Sequence, residues 1–282
     1  MTTKAFDKKL KPTEKKYLVI GAPGVIGRQV VREMAGRNWP VRAMRRWDSS
    51  TTGLDFDGVD VVVGDIFDAR SLDEAIAGVN AVIYCAAPAA DSDAGSILRR
   101  SVEGIRTVLG TCRDHGVERL ILTSSASTVG RGAPGTRLDE SSLYLPGSSD
   151  DPFAEAKYAV EQECFRFVAD GFPVVIVNPT LVVGPGVDLN AYARLGVDKR
   201  QPLNVVDVRT VATALVEAVV HGQSGQRYIV GGKNTTAGEV FEGWPGRGKK
   251  QVRPREAYLV ECGQWVDATK ARRQLGIEGQ PS

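Results

Sequence analysis

The sequence predicts a doubly wound α/β domain on a parallel sheet, with a small C-terminal lobe. Three observations predict it. Short β-branched runs alternate with helix-length stretches from Lys16 onward, those runs are apolar almost throughout, and a glycine-rich turn joins the first run to the first helix. Apolar strands that alternate with helices imply a sheet covered on both faces, because each crossover lays a helix against it.

Strands are expected at residues 17–20, 41–44, 59–63, 81–85, 120–123 and 174–177, where Val, Ile, Leu and Tyr cluster. Helices fit 25–37, 71–77, 96–115 and 152–170, with Gly36, Gly78, Gly116 and Gly171 as their stops. Past 177 the alternation weakens through Asn178-Pro179-Thr180 and Gly184-Pro185-Gly186. A helix at 207–221, a strand at 227–230 and a short helix at 269–275 follow. Residues 243–254 are rich in Gly, Pro, Lys and Arg and read as loop. The expected division is a flexible basic tail over 1–15, a dinucleotide-binding core over 16–177 and a reduced substrate lobe over 178–282, the lobe interleaved with the last strand and helices of the core.

Composition narrows the function classes. With 282 residues, 42% hydrophobic and 25% charged, the chain can bury one sizeable core. Its 36 basic and 34 acidic residues are interspersed, so no polyanion-binding face is announced and nucleic acid is not an expected partner. The lysines of residues 4–16 lack an apolar core and read as a solvated tail, the alternative being a docking segment. No apolar run reaches the roughly 18 residues of a membrane span. Cys85, Cys112, Cys164 and Cys262 form no C-x-x-C pair, and His115 and His221 are the only histidines. Neither a disulfide framework nor a metal site is expected, and a reducing cytoplasm fits.

The run from Tyr17 to Gly27 is strand, tight turn and helix start in that order. In Gly21-Ala22-Pro23-Gly24-Val25-Ile26-Gly27, Gly21 permits the turn, Gly24 lets the backbone approach a diphosphate, and Gly27 lets the helix pack on the sheet. The helix N–H groups then face the anion. The spacing is G-x-x-G-x-x-G, and its position at the first strand-helix junction is what favours a dinucleotide site over an ordinary turn. Arg45-Arg46 ends the second strand, where a carboxylate would bind the ribose 2′-hydroxyl of NAD and arginine the 2′-phosphate of NADP. NADP(H) is therefore expected over NAD(H). Asp48 could engage the ribose instead, and either arginine could simply be solvated.

Taken with further segments, the chain resembles the extended short-chain dehydrogenase/reductase superfamily, in its NAD-dependent epimerase/dehydratase and dihydroflavonol-reductase-like branches, which have a Rossmann fold. Those segments are Gly64-Asp65-Ile66, Ala86-Ala87, Thr123-Ser124-Ser125-Ala126, Lys157 with Glu161, Asn178-Pro179-Thr180, residues 227–232 and residues 267–272. The resemblance implies that Asp65 and Ile66 lie by the adenine. It places Ala86, Ala87, Asn178, Pro179 and Thr180 by the cofactor, Lys157 on the nicotinamide ribose and Ser125, beside Ser124, on the substrate carbonyl. An i to i+4 pair with Glu161 is the plainer role for Lys157, and a hydroxyl-rich turn the plainer reading of the serines.

One element of the family signature is missing. Its Y-x-x-x-K motif falls on Phe153-Ala154-Glu155-Ala156-Lys157, so the phenol that would protonate the substrate oxygen is absent. Tyr158 lies five residues on, at about 100° per residue roughly 140° around the helix, and is a poor substitute. Tyr144, Ser125, Thr128 or an ordered water are the other candidates. Losing a positioned acid typically costs about 10² to 10⁴ in rate. The connection between Gly186 and Asp207 is short for a nucleotide-sugar pocket. The expectation is an NADP(H)-dependent enzyme acting on a small carbonyl or alcohol metabolite, by reduction or by non-redox isomerisation, dehydration or cyclisation, and possible as a homodimer. A non-catalytic NADP(H) sensor or interaction protein and an engineered Tyr-to-Phe variant are the alternatives.

Overall fold

The computed structural model describes residues 12–87, 93–132, 136–148, 150–193, 196–242, 259 and 263–277. Most of the expected tail, the 243–254 loop and Cys262 lie outside the described residues. In chain order the first half contains β1 (Tyr17–Ile20), α1 (Val25–Gly36), β2 (Val41–Arg45), β3 (Val59–Val63), α2 (Ala69–Ile76), β4 (Ala81–Tyr84), α3 (Ala94–Asp114) and β5 (Arg119–Thr123). A 3-10 turn (Ala126–Val129), β6 (Arg137–Leu138), α4 (Pro152–Ala169), β7 (Val174–Pro179), β8 (Leu181–Val183) and α5 (Asn190–Ala193) follow. The chain continues with β9 (Pro202–Asp207), α6 (Val208–His221), β10 (Arg227–Val230), β11 (Lys233–Thr236), α7 (Ala237–Phe241), β12 (Trp265–Val266) and α8 (Thr269–Leu275).

Seven strands form one sheet in the order β10-β7-β5-β4-β1-β2-β3, and every pairing in it is parallel. All four residues of β1 are buried, Tyr17 and Val19 on one face of the sheet, Leu18 and Ile20 on the other, as the period-2 alternation of a strand requires. The first face packs against Val30, Val31 and Met34 of α1, Val211 and Leu215 of α6 and Leu275 of α8. The second packs against Leu72 and Ile76 of α2, Ile105 and Leu109 of α3 and Val160 and Cys164 of α4. This is the expected doubly wound architecture.

Boundaries moved where caps intervene. α2 and α3 each begin two residues before the expected starts because the carboxylates of Asp68 and Asp93 accept N–H groups of Arg70 and Ser96. Gly78, Gly116 and Gly171 have positive φ, as helix stops should, but Gly36 stays helical and Asn38 takes the left-handed conformation at φ 57°. β7 runs on through Pro179, so Asn178 and Pro179 belong to the sheet rather than to a loop after it. The small sheet β11-β9-β8 and the pair β12-β6 were not anticipated; their strands are short and several are polar, as in Lys233-Asn234-Thr235-Thr236. A minor cluster of Leu181, Leu189, Tyr192, Leu203 and Ala237 fills this lobe. Among the described residues no helix is long and apolar enough to cross a membrane.

Two contacts control the frame of the site. A Cβ at Gly27 would stand 2.2 Å from the carbonyl oxygen of Gly21 and 2.9 Å from Cα of Ala22. Across the other layer, Arg106 of α3 donates from Nε and Nη2 to the carboxylate of Glu163 on α4 at 2.7 and 2.8 Å, and Arg166 adds a third bond at 2.9 Å. The Arg106 hydrogen bond, ahead of the charges of Arg106 and Arg166, holds the Glu163 carboxyl below the usual carboxylate range.

Gly27→Ala should lower stability in urea by about 1–3 kcal/mol, because the clash is with backbone that cannot rotate away; an unchanged midpoint would refute the close packing of α1 on β1. A carboxylate with a depressed pKa stabilises fully above its unfolded pKa and loses that contribution as pH falls through its folded one. Glu163→Gln should therefore cost about 1 kcal/mol at pH 7 and give a shallower loss of thermal stability than the parent between about pH 5 and 3; parallel pH profiles would count against the clamp.

Candidate cofactor and active site

The sheet order places β1 between β4 and β2, so connections leave its carboxyl edge in opposite directions and open a crevice there. The glycine loop sits at that crevice. Gly21 has φ +81°, and a Cβ on it would stand 2.7 Å from the N of Ala86 and 2.8 Å from the carbonyl carbon of Cys85. Only glycine meets both demands. The N–H of Gly24 closes the turn onto the carbonyl of Gly21 at 3.0 Å. From Gly24 α1 opens with no side-chain cap and no acidic residue in its first turn, whereas α2, α3, α4 and α6 each open on an aspartate that accepts a backbone N–H. The first-turn amides of Val25, Ile26 and Gly27 lack the anionic cap that those four helices have, which is the condition for receiving an external anion.

A cleft of about 740 Å³ runs from this loop. It brings together Gly21, Pro23, Gly24, Arg45, Arg46, Asp65, Ile66, Ala86, Ala87, Phe153 and Lys157, from five separate stretches of chain. Arg45 gives Nη1 to the carbonyl oxygens of Arg46, Trp47 and Ser49, and its Nε is buried without a partner. Arg46 is exposed and meets Asp48 at 3.3 Å. The Asp65 carboxylate accepts the N–H of Phe67 at 2.9 Å, which fixes the loop after β3. Opposite lie residues that sequence reasoning missed: Arg100, whose guanidinium stacks over Phe67 at 4.9 Å, and Ser101, both on α3. Nothing in their local pattern marks them, since only the packing of α3 brings them to the crevice.

On α4 the residues facing the cleft are Phe153, Ala156, Lys157 and Val160, spaced i, i+3, i+4 and i+7. Ala156 and Val160 were legible from that spacing and were not singled out. Lys157 donates from Nζ to the carbonyl oxygen of Thr123 at 2.7 Å. Tyr158 is off this face, its ring 4.9 Å from that of Tyr144. Tyr144 is itself buried, and its hydroxyl donates to Glu155 at 2.7 Å. In this arrangement neither tyrosine presents its phenol to the cleft.

Behind the cleft wall is a buried polar network. Glu161, fully buried, accepts at Oε1 from the hydroxyls of Ser124 at 2.5 Å and Thr128 at 2.7 Å and from the amide of Asn178 at 2.6 Å. Its Oε2 lies 3.6 Å from Arg227, which also donates to the carbonyls of Thr128, Glu140 and Ser142. Ser125 is 7% exposed; its Oγ accepts the N–H of Ser127, and its carbonyl accepts from Asn178. Thr180 is buried beside Val230, to whose carbonyl its N–H donates. Ser124, Ser125, Asn178, Pro179 and Thr180 thus stand behind the lining rather than in it. Cys85, partly buried at the wall, has its thiol pushed up to about 11 by burial, against a hydrogen bond with Thr123 and the charge of Lys157.

The residues fit a nicotinamide dinucleotide: a backbone cradle that a Cβ would fill, an uncapped helix start, guanidinium groups along the same groove and an ammonium at its far end. Comparison with known proteins agrees. A Synechocystis protein provisionally named dihydroflavonol 4-reductase is 30% identical over 77% of this chain and 68% of its own length. Cinnamoyl-CoA reductase 1 of Oryza sativa is 30% identical over 86% and 78%. The crystal structure of gox2253 superposes with a TM-score of 0.80 at 25% identity, covering 93% of both chains. The dTDP-glucose 4,6-dehydratase of Streptomyces venezuelae, solved with NAD bound, shares the fold at a TM-score of 0.78 and 23% identity, over 95% and 92%. A model of the NAD dependent epimerase/dehydratase family matches residues 17–197, and with it this chain belongs to that family, within the extended short-chain dehydrogenase/reductase superfamily.

Proposed function

We propose that the chain binds NADP(H) in the cleft and reduces a small carbonyl-bearing metabolite, with proton delivery that does not use position 153. The observation that carries this is the gathering of the glycine loop, Arg45-Arg46 and the Phe153–Lys157 face along one groove. In this reading the amides of Gly24 to Gly27 hold the diphosphate, the exposed guanidinium of Arg46 meets the 2′-phosphate on a turn that Arg45 shapes, and Asp65 and Ile66 flank the adenine. Lys157 meets the nicotinamide ribose, with Ala86 and Ala87 alongside. Asn178, Pro179 and Thr180 support that end from behind.

When bound, the nicotinamide supplies or accepts hydride. The protein must then manage the charge on the substrate oxygen. Phe153 keeps an aromatic wall and excludes water but has no proton to give. Ser125 is the hydroxyl best placed by the family pattern. The bond from Ser127 uses an acceptor lone pair of its Oγ and leaves its O–H proton free for donation. The buried Glu161 network holds its surroundings, with the Ser124 hydroxyl donating to Glu161 and Asn178 donating to the Ser125 carbonyl. The names of the relatives favour reduction, since those of Synechocystis, Oryza sativa and Stenotrophomonas maltophilia are all named as reductases. The modest lobe cluster around Leu181, Leu203 and Tyr192 favours a small substrate.

A second reading is favoured by Phe153 alone: a scaffold that keeps its dinucleotide and either catalyses a non-redox step or reports coenzyme state to a partner. NADPH oxidation measured across a panel of ketones, aldehydes and enones separates the two, and its complete absence removes the reductase.

Phe153→Tyr should raise carbonyl-reducing turnover by about 10- to 1000-fold if only the phenol is missing; an unchanged rate would mean another donor already serves or the reaction is not reduction. Arg46→Asp should weaken NADPH at least tenfold more than NADH in a binding titration, because a carboxylate would repel the 2′-phosphate. Equal weakening of both coenzymes would rule out the phosphate assignment.

A further inference from the structure

Arg227 opens β10, the edge strand of the large sheet, and turns its guanidinium toward segments outside that sheet. Its side chain is 15% exposed. Nη1 donates to the carbonyl oxygen of Thr128 at 3.2 Å and stands 3.6 Å from Oε2 of Glu161, while Nη2 donates to the carbonyls of Glu140 and Ser142 at 2.6 and 3.1 Å. Glu140 returns the contact, its Oε1 accepting the N–H of Ile229, two residues along β10, at 2.8 Å. Crossed bonds, side chain to backbone in each direction, thus fix loop 139–147 along the edge of β10. The Thr128 carbonyl belongs to the turn that starts directly after Ser125 and ends at Gly130. There a Cβ on Gly130 would stand 2.2 Å from the Leu143 carbonyl oxygen, so turn and loop meet backbone to backbone. At its far end the loop is tied to the first turn of α4: the Tyr144 hydroxyl and the Gly147 N–H both donate to Oε1 of Glu155, at 2.7 and 2.8 Å, two residues past Phe153.

Resting on the reductase reading above, we propose that Arg227 is a positioning residue for that reaction: by clasping loop 139–147 to the serine turn and to Glu161, it sets the separation of the Ser125 hydroxyl from the cleft face of α4. Arg227 is not among the residues lining the cleft, so it acts through the segments it joins. A guanidinium suits this work because its planar fork holds several carbonyls at fixed angles, whereas an ammonium is a point charge on a flexible stem. With phenylalanine at 153 the substrate oxygen must meet a hydroxyl on the β5 side, and a small outward drift of the serine turn takes that hydroxyl out of reach. Coenzyme binding does not depend on the clasp, since the glycine loop is held by its own packing on α1 and the end of β4.

The test compares the parent with Arg227→Met and Arg227→Lys in the full chain, by NADPH titration, by turnover across the carbonyl panel and by amide hydrogen exchange. Arg227→Met should lower kcat about 10- to 100-fold while leaving NADPH affinity unchanged, and Arg227→Lys should act in the same direction, since one ammonium cannot span turn and loop. In both variants the amides of 124–130 and 140–147 should exchange faster together, with those of β1 and α1 as protected as in the parent. Unchanged turnover in both variants overturns the positioning role. A loss of NADPH affinity in step with turnover, or faster exchange throughout the sheet, overturns it in favour of a general support for the fold. Where Arg227→Met does not fold, Arg227→Lys decides on the same readings. A parent chain that oxidises NADPH with none of the carbonyls removes the reductase and the rate prediction with it, and the exchange data alone then uphold or overturn the clasp.

Discussion

The contact on which the rest depends is the packing of the glycine loop between the start of α1 and the end of β4. The Gly21 carbonyl lies where a Cβ of Gly27 would be, and the Gly21 Cα faces the backbone of Cys85 and Ala86 at a distance no side chain allows. The glycine loop, the start of α1 that follows it and the distant end of β4 therefore meet backbone to backbone at the switch point of the sheet. α1 opens from Gly24 without a side-chain cap at the mouth of the cleft, an arrangement suited to an incoming anion.

The other end of the cleft is organised by one face of α4 and the residues beneath it. Lys157 is tied to the Thr123 carbonyl, and one turn further Glu161 gathers the hydroxyls of Ser124 and Thr128 and the amide of Asn178. Helix, the loop after β5 and β7 are thereby locked to one another at the point where chemistry would occur. A carboxylate wholly removed from water is costly, and here donors at Oε1 and the nearby Arg227 offset the cost. An i to i+4 partnership of Lys157 with Glu161 would have been the simplest expectation for two such residues on a helix. The carboxylate instead accepts the hydroxyls of Ser124 and Thr128 and so holds the serine loop.

The aromatic residues near that position follow the same geometry. Phe153 shares its helical face with Ala156, Lys157 and Val160, while Tyr158 lies on another and packs with Tyr144 and Ala154. The tyrosine hydroxyl that could have moved inward is engaged by Glu155. The groove thus presents Phe153, with no phenol, on the face of α4 that it shares with Lys157.

The seven strands of the large sheet, most of the helices, the glycine loop and the Phe153–Lys157 pair were legible because they depend on local rules: period-2 apolar runs, glycine at strict turns and residues three or four apart on one helix face. The sequence by itself determined the doubly wound class, since near-continuous Val, Ile and Leu runs such as 17–20, 81–84 and 174–177 can be buried on both sides only between two helical layers. Only the tertiary structure decided which distant residues share the cleft, among them Arg100 and Ser101, and which expected ones stand behind it, among them Ser125 and Asn178. It also decided that Glu161 faces the serine loop and that Arg45 supports its own turn. Those outcomes depend on the relative placement of helices and sheet, which is set by side-chain packing summed over the whole core and has no signature in any short stretch of chain.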